Sequence, residues 1–265
     1  MPTTYAHDLF GKEVYKKLPA DVREIIRANG DLYRIGLHGP DILFYFLVVP
    51  NPVTALGNAM HAQKAGDFFT RSMKKARETG DKALLAYLLG FGCHYLLDSA
   101  CHPYVNHVAA SGMLCHSTLE IEFDRFLMEQ TGRNPYAYYP SCCIQARMKY
   151  ARVIHQVLPR VSAVNIYLSL KMMRFLTNLM VADDGGSRRA LLAKLLCRRK
   201  KESESDPLGH FMTSVPVKGS EIPVRRLKEY YTDEVKEAPA ELMELYHFYT
   251  KETPLSNRWY KTYNG

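Results

Sequence analysis

The stretch from His94 to Glu120 concentrates imidazole and carboxylate side chains among apolar and small residues. It contains two histidine–acid pairs at a spacing of four, His94 with Asp98 and His116 with Glu120, and His102 lies between them. On a helix, residues at i and i+4 share one face, with Cβ atoms about 5–6 Å apart. An imidazole nitrogen and a carboxylate oxygen can then both approach one zinc ion, at about 2.0–2.2 Å. Burying such groups is costly unless they are paired or bound to metal, so the spacing predicts a metal site.

Upstream residues add three side chains of the same chemistry. They are His7, Asp41 after Gly39-Pro40, and His61 on a predicted amphipathic helix. The order is an early His, an Asp after Gly-Pro, a His on the next long helix, HxxxD, a further His and HxxxE. In this order the chain resembles the zinc-dependent phospholipases C, which are related in fold to single-strand-specific zinc nucleases. The resemblance covers roughly residues 5–125.

The resemblance implies a centre of two or three zinc ions. Carried over by position, Asp41, His61, His94 and Asp98 would hold one ion, His7 a second that Asp98 bridges to the first, and His102, His116 and Glu120 a third. The resemblance also implies that Asp41, a ligand with a spare oxygen, orients or deprotonates the attacking water. Histidine with carboxylate suits zinc, and a site with three protein ligands leaves a position open for water or substrate.

Two departures from the family leave ligand assignments open. The interval from Asp98 to His102 is shorter than in the secreted lipases, so His107 competes with His102 as a ligand. In secreted members the amine and carbonyl of an N-terminal tryptophan complete the site that holds His7. This chain begins Met1-Pro2, so the ion at His7 is either absent or completed by other groups.

Structural explanations compete with metal binding at several positions. Asp41 could cap the turn that follows it, and Asp98 could pair with a lysine or arginine. Ser117 to Glu120 fits a capping box, in which the acid reaches back to the backbone N–H. The cysteines beside the candidate ligands (Cys93, Cys101 and Cys115) are either ligands or small buried hydrophobes. Four other histidines fit no motif and are predicted to be structural or on the surface: His38, His155, His210 and His247.

Helical patterns fill the chain, and no alternating strand pattern is visible, so we expect an all-α fold. The predicted helices cover about 8–17, 19–29, 55–79, 81–102, 116–131, 143–158, 163–181, 186–201, 222–237 and 239–250. Residues 31–53 look irregular, and Pro103 predicts that a helix ends near His102. The expected organisation is a phospholipase C-like helical domain over 1–201, a linker or lid over 202–220, and C-terminal helices over 221–265 packed on the same domain.

Composition limits the cellular setting. The apolar content of 47% and charged content of 23% are ordinary for a globular protein. The longest apolar run, Ile42–Val49, is far shorter than the ~20 residues that span a bilayer. No secretory signal is visible and the six cysteines form no CxxC pair, so we expect a cytoplasmic protein, soluble or membrane-peripheral, with reduced thiols.

The function that this sequence predicts is zinc-dependent hydrolysis of a phosphodiester. The favoured substrate is a glycerophospholipid, cleaved to diacylglycerol and a phosphorylated headgroup. The net charge of +8 favours anionic partners, and the basic segment Ser187–Lys201 could contact anionic membranes or pack on the core. A single-strand nuclease, with nucleic acid a less favoured partner, and a non-catalytic cytoplasmic metal-binding protein are the alternatives.

Overall fold

A computed structural model of the chain describes residues 4–46, 51–181, 212 and 215–265. Every regular element in these ranges is helical, which confirms the all-α prediction. The α-helices are α1 (Thr4–Lys17), α2 (Ala20–Ala28), α3 (Gly30–Gly36), α4 (Pro52–Ala62), α5 (Ala65–Thr79), α6 (Lys82–Ala110), α7 (His116–Gln130), α8 (Met148–His155), α9 (Ala163–Leu179) and α10 (Glu221–Lys251). Short 3-10 helices cover Gly39–Tyr45, Pro140–Cys143 and Asn257–Tyr260.

Helix α6 is the centre of the fold. Asp81 caps its first turn by accepting hydrogen bonds from the backbone N–H groups of Ala83 and Leu84, and the helix is apolar on nearly every face. It is the one described helix that is long and apolar enough to cross a membrane. A core helix meets the same test, and 94% of its most apolar stretch is buried inside the protein. Its position is therefore that of a core helix in this structure.

Neighbouring helices pack on α6 from several sides. α3 approaches most closely, because Gly36 and Gly90 meet where the two helices cross. A Cβ on Gly36 would lie 2.2 Å from the Tyr87 carbonyl oxygen, and one on Gly90 would lie 2.1 Å from the Tyr33 carbonyl oxygen. α10 packs on α6 and also contacts α5, α1 and α7. Residues 4–130 and 221–265 thus share one core.

The expectation that α6 ends near His102 is wrong. The helix continues through Pro103 to Ala110, although an internal proline costs about 3 kcal/mol because it cannot donate to the carbonyl four residues earlier. Beyond the proline, Val105 and Val108 are buried, and their packing on the core favours continuation of the helix. Arg258 supports the affected turn from outside: Nη1 donates to the Ser99 hydroxyl at 2.8 Å, and Nη2 lies 3.4 Å from the Leu96 carbonyl oxygen.

Several helix boundaries also differ from the predictions. The single helix expected over 55–79 is two helices, because the chain is extended at Gln63 and Lys64 between α4 and α5. Residues 31–53 are not irregular throughout, since they include most of α3 and the 3-10 helix Gly39–Tyr45. The two C-terminal helices are one, α10, which continues through Pro239. The predicted helix 186–201, its basic segment and most of 202–220 lie outside the described residues, so the domain division stays a prediction.

Candidate metal centre

Helix α6 carries three candidate ligands on one face at successive spacings of four. The Nε2 atom of His94 lies 3.1 Å from Asp98 Oδ2, and the Nε2 atom of His102 lies 3.8 Å from Asp98 Oδ1. Asp98 is therefore between the two histidines, and its side chain is only 4% exposed. This arrangement needs a continuous helix as far as His102, which is why the persistence of α6 past Pro103 matters to the site.

Asp41 reaches the centre from the 3-10 helix Gly39–Tyr45. Its Oδ1 lies 3.0 Å from His61 Nε2, and its Oδ2 lies 3.6 Å from His94 Nε2. The preceding Gly39 has φ +47°, and a Cβ there would lie 2.2 Å from the imidazole carbon Cδ2 of His94. Glycine before Pro40 is thus required by the close approach of the turn to His94.

His7 and His61 approach the same acids from α1 and from the end of α4. His7 Nε2 lies 3.2 Å from Asp98 Oδ1, and its ring stacks on that of His94 with centroids 4.5 Å apart. His61 Nε2 lies 3.9 Å from Asp98 Oδ2. His7, Asp41, His94 and Asp98 each offer a ligand atom within 4.8 Å of the others. His61 is not in that group and joins it through Asp41.

A second group forms where α6 meets the start of α7. Glu120 Oε1 lies 3.1 Å from His116 Nε2 and 3.3 Å from His102 Nε2, and the three ligand atoms lie within 4.8 Å of one another. A cavity of about 20 Å³, lined in part by His7, Asp98, His102 and Glu120, lies between the two groups. That volume accommodates about one water molecule or ion.

The donor set fits zinc. Asp41 Oδ2 is buried and has no hydrogen-bond partner in the described part of the chain, and such an atom is costly unless a ligand satisfies it. Imidazole nitrogens with carboxylate oxygens are the ligand set that zinc prefers in sites without thiolates. The neighbouring thiol of Cys93 lies 3.3 Å from the Tyr33 hydroxyl instead, and neither group includes a cysteine.

The charges of the site hold its acids ionised. Burial alone would raise the pKa of Asp98, but the nearby His102 and His94 hold that pKa well below its usual value. The pKa of Asp41 is lowered in the same way, against its burial, by His94 and His61. Burial opposes a charged His102, yet the Asp98 charge and the hydrogen bond to Glu120 raise its pKa to about 9. Asp98 and the charged form of His102 therefore stabilise each other.

Outer hydrogen bonds orient three of the histidines. The Nδ1 atom of His61 lies 2.8 Å from the Gly57 carbonyl oxygen. The Nδ1 atom of His116 lies 3.1 Å from Asn106 Oδ1, and that of His102 lies 3.1 Å from the Tyr263 carbonyl oxygen. A carbonyl oxygen can only accept, so each Nδ1 donates its proton there, and each Nε2 faces a carboxylate of the centre, where it becomes a metal ligand once its own proton is lost. Such partners fix the tautomer and ring orientation of metal-binding histidines.

The structure decides between some of the alternatives. His107 is exposed and belongs to neither group, whereas His102 belongs to the second. Glu120 contacts the two histidines, and Cys115, not Ser117, occupies the N-cap position of α7. Asp98 is surrounded by histidines and is in no ion pair with a lysine or arginine of the described chain. His38 is buried with Nε2 3.2 Å from Cys143 Sγ, and burial lowers its pKa to about 3.

Sequence reasoning missed three residues that support the ligands: Asn106, Asp124 and Tyr263. Asp124 accepts hydrogen bonds from the backbone N–H groups of Tyr5 (3.0 Å) and Ala6 (2.7 Å), so it holds the start of α1 beside His7. Burial raises the pKa of Asp124 to about 7, against these two bonds. Its spacing of four from Glu120 is a signal that the sequence offered. Tyr263 gives no comparable signal.

Residues 6–163 match the sequence model of a protein family described as zinc dependent phospholipase C. The match includes His7, Asp41, His61, His94, Asp98, His102, His116 and Glu120. It ends well before α10 and Tyr263. No curated protein and no solved structure matches the chain.

Proposed function

Because the chain belongs to the zinc-dependent phospholipase C family, we propose that it hydrolyses glycerophospholipids to diacylglycerol and a phosphorylated headgroup. The observation that carries the proposal is the position of Asp98. Its two oxygens lie within 4 Å of the Nε2 atoms of His7, His61, His94 and His102. One buried carboxylate thus links all parts of the centre, which suits neighbouring ions that act on one phosphate.

The proposed ligand sets are those that the family resemblance implies, and the contacts above are compatible with them. Asp41, His61, His94 and Asp98 would hold one ion, His7 and Asp98 a second, and His102, His116 and Glu120 a third. Zinc bound there supplies Lewis acidity: it lowers the pKa of water and neutralises charge on the phosphoryl oxygens. Asp124 fixes the first turn of α1 next to His7, because it accepts hydrogen bonds from the backbone N–H groups of Tyr5 and Ala6.

Asp41 is the proposed catalytic residue. The structure places Oδ1 against His61, whereas Oδ2 is buried and has no hydrogen-bond partner among the described residues. The lowered pKa keeps Asp41 a carboxylate at neutral pH. A carboxylate oxygen of this kind can accept a proton from water or orient it toward phosphorus. His61 positions Asp41 in turn, since its own Nδ1 is fixed by the Gly57 carbonyl.

Four of the aromatic side chains near the centre give little support to the nuclease alternative. Single-strand binding relies on exposed rings on which bases stack. Tyr33, Tyr45 and Tyr95 are at most 3% exposed and belong to the core. Phe44 is half-buried and its ring already stacks on that of His61 at 5.2 Å. These four rings therefore offer little platform for a nucleic acid.

The experiment compares the purified protein with Asp41→Asn and, as a control, the exposed Asp233→Asn. Zinc content is measured first, and hydrolysis is then followed with phosphatidylcholine, phospholipids with other headgroups, a soluble phosphodiester and single-stranded DNA. We expect turnover of phospholipid to fall at least about 100-fold in Asp41→Asn and to be unchanged in the control. Zinc retention with undiminished turnover would remove Asp41 from the chemistry. Zinc binding without hydrolysis of any substrate would leave a non-catalytic metal protein.

A further inference from the structure

Residues 255–265, here called the C-terminal segment, pack against the helix that carries three candidate ligands. Trp259 is fully buried, and its ring stacks on that of Tyr95 of α6 with centroids 5.4 Å apart. The Tyr95 hydroxyl donates to the Arg258 carbonyl at 2.6 Å, and the Ala65 N–H donates to the Lys261 carbonyl at 3.1 Å. The segment is therefore held by both side-chain and backbone contacts.

Tyr263 extends from this segment into the metal centre. Its side chain is 1% exposed. The centroid of its ring lies 5.0 Å from that of His61 and 5.8 Å from that of His94, and its carbonyl oxygen lies 3.1 Å from His102 Nδ1. One residue thus contacts histidines of both ligand groups.

The contact with His102 differs from the other outer hydrogen bonds in its distance along the chain. His61 and His116 bond to partners 4 and 10 residues away. The partner of His102 is 161 residues away and lies outside the residues that match the family. The orientation of His102 therefore depends on whether the C-terminal segment is docked.

We infer that Tyr263 is a positioning residue that completes the zinc centre, and that the C-terminal segment is a functional part of the site. Its ring holds the segment against His61 and His94, and its carbonyl, which accepts from His102 Nδ1, orients that imidazole with Nε2 toward Glu120. This inference rests on the proposed function in that it assumes zinc at the second group. Loss of such an outer partner typically reduces metal affinity 10–100-fold.

The test measures zinc affinity by competition with a chromophoric chelator and records the spectrum of the cobalt-substituted protein. Tyr263→Phe keeps the ring, Tyr263→Leu keeps apolar bulk, and Tyr263→Ala removes both. Tyr260→Ala is the matched control, because this tyrosine lies in the same segment and is 37% exposed. Ile166→Ala, in the core of α9 and fully buried, controls for general loss of stability.

We expect zinc affinity to fall at least about 10-fold in Tyr263→Ala, with a changed cobalt spectrum, and to stay within about twofold in Tyr263→Phe and Tyr260→Ala. The zinc affinity of Tyr263→Leu should lie between those of Tyr263→Ala and Tyr263→Phe. This variant replaces Tyr263→Ala in the test if the alanine variant does not fold. Equal losses in Tyr263→Ala and Ile166→Ala, or an unchanged affinity in Tyr263→Ala, would overturn the inference. If the unaltered protein binds no zinc, the proposed function fails first. If it binds zinc without hydrolysing phosphodiesters, only the catalytic proposal fails.

Discussion

Gly39→Ala is a sensitive probe of the metal centre, because this glycine combines a left-handed backbone with direct contact to a ligand. Its φ is +47°, and an added Cβ would lie 2.2 Å from His94 Cδ2 and 2.8 Å from His94 Nε2. Ordinary van der Waals contact begins at 3.4 Å, so the imidazole must shift by about 1 Å. Zinc sites tolerate deviations of only about 0.2 Å in ligand distance.

The magnitude follows from two contributions. A side chain in the left-handed region costs about 1–2 kcal/mol, and forcing an extra carbon into a filled site costs about 1–3 kcal/mol. We therefore expect Gly39→Ala to lower the free energy of unfolding by about 2–5 kcal/mol. Gly80 provides the matched control: its φ is +62°, but nothing lies within 4 Å of an added Cβ. Gly80→Ala should lose only the first contribution, about 1–2 kcal/mol.

The assay is urea unfolding of both variants in a chelator, followed by a titration with zinc. Gly39→Ala should be the less stable variant and should also lose zinc affinity, whereas Gly80→Ala should bind zinc like the unaltered protein. If the two variants are equally destabilised and equally competent to bind zinc, then His94 is not held against Gly39, and the geometry argued for Asp41 fails with it.

Three further perturbations separate the parts of the centre. Elemental analysis should show that Asp98→Asn lowers the zinc content by more than one ion per chain and that Glu120→Gln lowers it by one ion. Equal losses in the two variants would contradict the proposal that Asp98 serves more than one ion. The folded pKa of His102, about 9, lies above its ordinary value of about 6.5. In a chelator, the contribution of protonated His102 to the free energy of unfolding should be complete below pH 6.5 and lost as pH rises to about 9. Zinc affinity should rise over the same range, because zinc must displace the proton on His102. A chelator competition from pH 6 to 9 that shows no rise in zinc affinity would contradict this. Asp124→Ala should lower the free energy of unfolding by about 1–3 kcal/mol, because two backbone N–H groups of α1 lose their acceptor. It should also weaken zinc binding at His7. A urea unfolding curve equal to that of the unaltered protein would refute the role of Asp124.

The ligand chemistry was predictable because it depends on spacing within helices. His94 and Asp98 share one helix, so a spacing of four placed them on one face before any tertiary contact was known. His116 and Glu120 are adjacent for the same reason. His102 joins the face of His94 and Asp98 only because the helix continues through Pro103, which the sequence did not predict. Spacing could not predict that His7, Asp41 and His61 lie at the same centre, because they belong to three separate elements. Only the resemblance to a family indicated that these three residues act together.

The errors in the prediction arose where tertiary contacts override local preference. Pro103 indicated a helix end, but the buried surface of α6 carries the helix beyond it. Gln63 and Lys64 carry no breaker residue, yet the chain turns there so that α4 and α5 can both pack on the core. Tyr263 could not be identified from sequence, because a carbonyl oxygen is common to every residue and its partner is distant.

The long-range bond between His102 and Tyr263 has a consequence for the timing of assembly. A ribosome adds about 5–20 residues each second, and these two residues are separated by 161 positions. Even Glu120, the last candidate ligand along the chain, is therefore synthesised roughly 7–30 s before the carbonyl that orients His102. A nascent chain in that interval holds all the candidate ligands but lacks the carbonyl that orients His102, so under the proposed function we expect zinc to bind the second group more weakly until Tyr263 is in place.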